Sequence, residues 1–244
     1  MREFHVSAAI VGFIMLGHSV LTAAGQSPSP VRLPMEQDFG GIGLPAGWEP
    51  GGRPNSFRVI EGALEGKCAA DDNHGPSIGV PVVGHDLAVE FEAQFIKAGA
   101  LLFLIDGDSQ FGGQAHLLRV GLSGSSLNIA QDRGSPASKQ AQHEARVAAQ
   151  KAGKTVAAPT PEQLADPAFY RTEALGRQAA KLTDGRRHRV RVGLRGNDVT
   201  VRLDEAPPVR AKGTVLDVKK TRIVFLVGQA GVVRIDNVKV REVN

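Results

Sequence analysis

The chain reads as an all-β sandwich, and three observations carry that reading. Short apolar segments recur between Gly and Pro punctuation from Gln37 onward, several of them alternate with period two, and residues 185–205, GRRHRVRVGLRGNDVTVRLDE, specify a β-hairpin residue by residue. In that hairpin two alternating runs flank Gly196-Asn197, a two-residue loop whose composition suits a turn needing positive φ. The loop fixes the pairing. Leu194 faces Val199, Val192 faces Val201 and Val190 faces Leu203 on an apolar side. On the other side Arg195 meets Asp198, Arg189 meets Asp204, and Arg191 meets Arg202, a like-charge pair that cross-strand energetics disfavour unless an anion sits nearby.

From the N-terminus, residues 1–24 carry an early Arg2, an apolar run from Val6 to Leu21 and the small residues Thr22, Ala23 and Ala24, the pattern of a signal peptide cleaved after Ala24. That run is too short and too often interrupted to span a bilayer, which takes roughly 20 apolar residues. A secreted or periplasmic, cell-envelope location is expected, with no membrane span after signal removal. Residues 25–36 carry Pro28, Pro30 and Pro34 with Ser27 and Ser29 among them and read as a tether to a β-sandwich domain at 37–244.

Within the domain, Gly62 supplies a turn between residues 57–59 and Leu64, and residues 77–83 form the next strand. In residues 86–96, Leu87, Val89, Phe91, Ala93 and Phe95 alternate with Ala88, Glu90, Glu92 and Gln94, giving an inner and an outer face. ALLFLI, residues 100–105, is apolar throughout and ends on Asp106-Gly107-Asp108, as expected of a buried central strand. Residues 116–122 and 126–131 read as a hairpin about Gly124-Ser125. Residues 221–227 and 232–243 read as another about Gly228 to Gly231, with a bulge at Asp236-Asn237. One segment breaks the pattern: residues 135–183, rich in Ala, Gln, Lys and Glu, read as an insertion bearing helix at 140–152 and a second short helix opening at Thr160 or Pro161.

Composition excludes several classes. A single Cys68 rules out an intrachain disulfide framework and thiolate zinc sites, and makes Cys68 a small buried hydrophobe. The net charge of +4 is spread along the strands, and with one Trp and one Tyr no stacking platform for single strands is expected, so nucleic acid is not a predicted partner. No Gly-x-Ser-x-Gly elbow occurs, and GLSGSS lacks the lysine and helix of a phosphate loop.

The order DFGGIGLPAGW, FRVIEGALEG, LAVEFEAQF, the 185–205 hairpin and the closing GVVRIDNVKVREV resembles the concanavalin A-like, laminin-G-like jelly-roll domains. It is especially similar to secreted bacterial relatives of the 3-keto-disaccharide hydrolase family. Arg187-His188 stands where that family has a Trp-His or similar pair, and Asp204-Glu205 where it has Asp-Gly. The resemblance implies two stacked antiparallel sheets, with the concave face as glycan-contact surface, and members that are hydrolases or lectin-like binders. The Glu-x-Asp-x-Glu run of the glucanase branch does not occur here.

Three sets of candidate residues follow. Glu90 and Glu92 share a strand face about 7 Å apart, between the separations of retaining and inverting glycosidase pairs, and are the candidate catalytic carboxylates; their other role is to neutralise arginines of a neighbouring strand. Arg189, Arg191, Arg195 and Arg202, extended by Arg119 and Arg234, form a basic strip suited to a carboxylated or sulfated polysaccharide. Asp106, Asp108 and Asp236 are weak candidates for calcium, since turn aspartates more often cap their own backbone; no cofactor is expected. His188 reads as a satisfied rim residue. The sequence therefore points first to a carbohydrate-binding module for a polysaccharide or oligosaccharide, acidic where the arginine strip meets it. The alternatives are a glycoside hydrolase on a disaccharide or β-glucan, and an extracellular interaction domain without a small ligand.

Overall fold

The computed structural model describes residues 29–72, 74–97 and 99–243. The signal-peptide reading, residues 1–24, and the first part of the tether lie outside them. In chain order the strands are β1 Met35–Gln37, β2 Glu49–Gly51, β3 Phe57–Ile60, β4 Ala63–Lys67, β5 Ser77–Gly84, β6 Leu87–Lys97, β7 Ala100–Asp108, β8 Gln114–Ser123 and β9 Ser126–Arg133. Helices α1 Pro136–Lys151 and α2 Pro161–Ala165 follow, then β10 Arg171–Ala179, β11 Arg187–Arg195, β12 Asp198–Leu203, β13 Val209–Lys212, β14 Lys220–Gly228 and β15 Val232–Glu242. Two antiparallel sheets result. One runs β13-β12-β11-β6-β15-β4-β3 with β1 added on β15; the other runs β10-β9-β8-β7-β14-β5-β2.

Alternating strands turn one face inward, and the two inward faces build a single large core. At its centre Phe91 of the first sheet meets Phe103 and Phe225 of the second, with ring centroids 5.1–5.2 Å apart. The lone Trp48 stacks on Phe225 and sits edge-on to Phe39, so it serves the core. Cys68 is buried in the same cluster, and burial raises its thiol pKa.

Five of the six expected hairpin pairs form: Val190 with Leu203, Arg191 with Arg202, Val192 with Val201, Leu194 with Val199 and Arg195 with Asp198; the sixth does not, because Asp204 turns out of the strand at φ +50° and the Arg189 guanidinium goes to Glu92. Gly196 adopts φ +54°, the conformation such a loop demands. Strand β7 is the buried central strand, flanked by β8 and β14, and β8 and β9 form the hairpin about Gly124-Ser125. The register of β15 against β6 shifts between Asp236 and Lys239, where Asn237 takes φ +51°, so the bulge is present.

Three sequence expectations are corrected. Strands β14 and β15 do not pair with each other: β14 lies between β5 and β7, while β15 lies between β6 and β4 in the opposite sheet. The 228–231 connection is a corner between sheets, tight enough that a Cβ on Gly99 would come within 2.3 Å of the Gly231 Cα. The 135–183 segment is helical only in part, because β10 adds an edge strand to β9. Finally, the tether is drawn into the fold at its end, where Val31 bridges Val82 and β1 pairs with β15. Among the described residues no helix is long and apolar enough to cross a membrane.

Candidate functional site

Helix α1 starts where Ser135 caps it by accepting a hydrogen bond from Ser138 N at 3.0 Å. A helix laid on a sheet ordinarily buries an apolar stripe. Here no residue of α1 is buried, and Lys139, Gln142, His143 and Arg146, spaced at helical i, i+3, i+4 and i+7, turn toward the seven-stranded sheet. Between them lies a cleft of about 820 Å³. Polar contacts hold the roof: Gln142 Nε2 donates to Tyr170 O at 2.9 Å and Tyr170 N donates to Ser138 Oγ at 2.9 Å.

The floor is a buried charge network. Arg119 of β8 donates two hydrogen bonds, from Nε and Nη2, to the carboxylate of Asp132 on β9, and the two side chains are only 8% and 3% exposed. Tyr170 and Thr172 each donate a hydroxyl to the same carboxylate at 2.8 Å, and Arg119 Nη2 reaches the Tyr170 hydroxyl at 3.0 Å. Burial pushes the Asp132 carboxyl up, but the Arg119 hydrogen bonds and charge outweigh it and hold the group below the usual carboxylate range. Burial raises the Tyr170 phenol to about 12. These groups satisfy one another, so the network is a rigid base and its carboxylate is not free to act as an acid or base.

Two groups above this base face the cleft with capacity to spare. Lys139 Nζ stands 3.7 Å from Asp132 and 5.2 Å over the Tyr170 ring, and its partial enclosure, with the side chain 28% exposed, lowers its pKa against the pull of Asp132. His116 of β8 pairs through Nδ1 with Asp106 Oδ1 of β7 at 2.6 Å, which leaves Nε2 as the ring atom for a ligand. The cleft can thus hold a small polar molecule of sugar size, offering an ammonium, an imidazole nitrogen and the side chains of Tyr170 and Phe169.

The sequence-predicted residues distribute over both sheets. Arg119 and Asp106 belong to the cleft. Arg189, Arg191, Arg202, Glu90 and Glu92 lie on the outer face of the eight-stranded sheet, so Arg119 does not join the strip. Glu90 Oε2 takes Arg191 Nε at 2.8 Å, and Glu92 Oε1 takes Arg189 Nη2 at 3.2 Å. Glu92 is buried enough to be pushed up, yet Asn237 and Arg189 pull it below the ordinary range. Asp236 pairs with Arg187 at 2.6 Å on β15, across the sandwich from Asp106 and Asp108 on β7, so the three aspartates do not meet. His188 is enclosed between Asp184 and Asp204, at 2.9 and 2.8 Å.

Asp132, Lys139, Tyr170 and His116 escaped the sequence reading as a group. A signal for one pair existed: the hairpin about Gly124-Ser125 sets Arg119 opposite Ala130, which puts Asp132 one diagonal step away on the same face. Lys139 and Tyr170 come from the 135–183 segment, whose placement no local pattern reveals.

No family model matches the chain, and no curated protein matches it. Solved structures do. The LamAcat structure from Zobellia galactanivorans superposes with a TM-score of 0.56 at 11% identity, over 85% of this chain and 96% of that one. The laminarinase from Rhodothermus marinus gives a TM-score of 0.55 at 12% identity, over 87% and 100%. A Bacteroides ovatus mixed-linkage glucan GH16 protein in complex with a glucan product gives 0.53 at 12%, over 84% and 99%. The strand order, the two antiparallel sheets and these superpositions establish the chain as a concanavalin-like jelly-roll sandwich.

Proposed function

We propose that this chain is a glycan-binding module of the cell exterior or periplasm, with the cleft under α1 as its sugar site. The observation that carries the reading is the polar, cation-bearing face of α1 held over a preorganised Arg119–Asp132–Tyr170 base, where a core-packing helix would present apolar side chains. Lys139 selects for a sugar bearing a carboxylate, and His116 accepts from a hydroxyl. The comparisons support the class of ligand: proteins of this fold are described in complex with laminaritriose and laminaritetraose, and with a mixed-linkage glucan product. The leader-like residues 1–24 support export.

Binding is favoured over hydrolysis by the state of the carboxylates. Glycoside hydrolysis by the common route needs two carboxyl groups able to exchange protons or attack. In the cleft, Asp132 is saturated and Asp106 is engaged by His116. On the other sheet Glu90 and Glu92 are held by arginines. Calorimetric titration with uronate-containing and neutral gluco-oligosaccharides, alongside a reducing-sugar assay, tests the reading. Saturable binding of the acidic oligosaccharide, weakened roughly tenfold by Lys139→Met and without sugar release, is expected. Release of reducing ends that Glu90→Gln abolishes would establish the hydrolase instead.

A further inference from the structure

The hairpin's arginine face is not used by the cleft, and the structure reorganises it. The disfavoured Arg191 and Arg202 pairing is relieved on one side only. Glu90, on the next strand, takes Arg191, while Arg202 has no partner among the described residues. One step along the same face, register places Arg210, Thr200, Gly193, Ala88 and Arg241 in a row across β13, β12, β11, β6 and β15. The three central residues are small, so the row forms the floor of a trough, a depression of about 600 Å³. Four interstrand steps of about 4.8 Å make it roughly 19 Å long, with an arginine at each end.

Its charge is uneven. Five cations and two carboxylates line the trough. One carboxylate, Glu90, is committed to Arg191 and the other, Glu36, lies 3.5 Å from Lys239. The guanidinium groups of Arg202, Arg210 and Arg241 have no hydrogen-bond or ion-pair partner among the described residues.

We propose that this trough is a second binding site, on the face opposite the cleft, for a linear glycan chain bearing sulfate or carboxylate groups. Arg210 and Arg241 hold anionic groups at the two ends and Arg202 holds one on the flank, while the chain lies on Thr200, Gly193 and Ala88. The planar fork of each guanidinium matches a sulfate or carboxylate with two hydrogen bonds. A single-stranded nucleic acid would want aromatic side chains for its bases, and none lines the trough. The site is independent of the cleft, so each can fail without the other.

The test is retention on immobilised heparin, and equilibrium binding of a sulfated, a polyuronate and a neutral oligosaccharide and of single-stranded DNA. The wild type is compared with Arg202→Ala/Arg210→Ala/Arg241→Ala. The control is Lys151→Ala/Lys154→Ala/Lys181→Ala, which removes equal charge from exposed positions elsewhere. The expected result is retention that salt reverses, affinity for the sulfated or the polyuronate chain at least tenfold above the neutral one, and a loss of tenfold or more in the arginine variant alone. Which charged arm binds more tightly identifies the anionic group. Thr200→Glu, which fills the floor and sets a negative charge among the arginines, is expected to cost tenfold or more in affinity and serves if the triple variant does not fold. Absent retention, an equal loss in the lysine control, an unchanged arginine variant, or tighter binding of the DNA overturns the proposal. None of the three arginines lines the cleft, so in the arginine variant the His116 ring signals still shift with a short acidic oligosaccharide, which separates this site from the cleft.

Discussion

Replacing Asp132 with Ala removes the centre of the network under the cleft. The carboxylate accepts both Arg119 hydrogen bonds and the hydroxyls of Tyr170 and Thr172, and the Arg119 side chain is 8% exposed. The variant leaves a buried guanidinium uncompensated, which costs about 3–5 kcal/mol. For a chain of this size that lowers Tm by roughly 6–20 °C. Fluorescence of the single Trp48, stacked on Phe225 in the core, follows the transition in urea. The pH dependence has a definite sign. Because the folded Asp132 carboxyl lies below its unfolded value near 3.9, its stabilisation is complete above that value and is lost as pH falls through the folded one. The gap between wild type and variant is therefore full at neutral pH and narrows in acid. Replacing the pair together, Arg119→Met with Asp132→Leu, recovers most of the loss, since no charge is then stranded. A loss below about 1 kcal/mol for Asp132→Ala, or strict additivity of the two single changes, would refute the network as drawn.

Further outcomes follow from other features. Tyr170 is the only tyrosine, so an ultraviolet titration reads it alone; half-ionisation is expected near pH 12, and stability falls as pH rises from about 10, where an unfolded tyrosine ionises. A midpoint near 10 in the folded protein would place the phenol in solvent. Gly99→Ala puts a Cβ against the Gly231 backbone at the corner between the sheets, and a loss of roughly 1–3 kcal/mol is expected in denaturant melts. An unchanged midpoint would mean that this corner is loosely packed.

The parts of this molecule that the sequence makes legible are those fixed by short-range chemistry. A two-residue Gly-Asn loop allows one register, so the partners from Arg195 with Asp198 down to Val190 with Leu203 could be assigned, and the same holds for β8 and β9; only the pair past the last rung, Arg189 with Asp204, is lost where the chain turns away. The apolar face of β6 and the all-apolar β7 declare their burial by period alone. What stayed hidden depends on which sheet a strand joins. The Gly228 to Gly231 link looks like a hairpin turn, and only the approach of Gly99 to Gly231 makes it a corner. The candidate cleft was hidden for the same reason. Its residues come from β7, β8, β9, α1 and the residues before β10, and Lys139 and Tyr170 meet Asp132 through contacts no local pattern encodes. The arginine strip was half legible: its strand partners were assignable, but the row of Thr200, Gly193 and Ala88 beside it needed the order of five strands.

The claim that a sugar enters the cleft is tested most directly by following the histidine ring signals by NMR while an acidic oligosaccharide is added. His116 lines the cleft beside Lys139, whereas His188 is enclosed by Asp184 and Asp204 in the hairpin. The His116 signals are expected to shift saturably with the sugar while those of His188 stay in place. Saturable binding with His116 unmoved would contradict the claim.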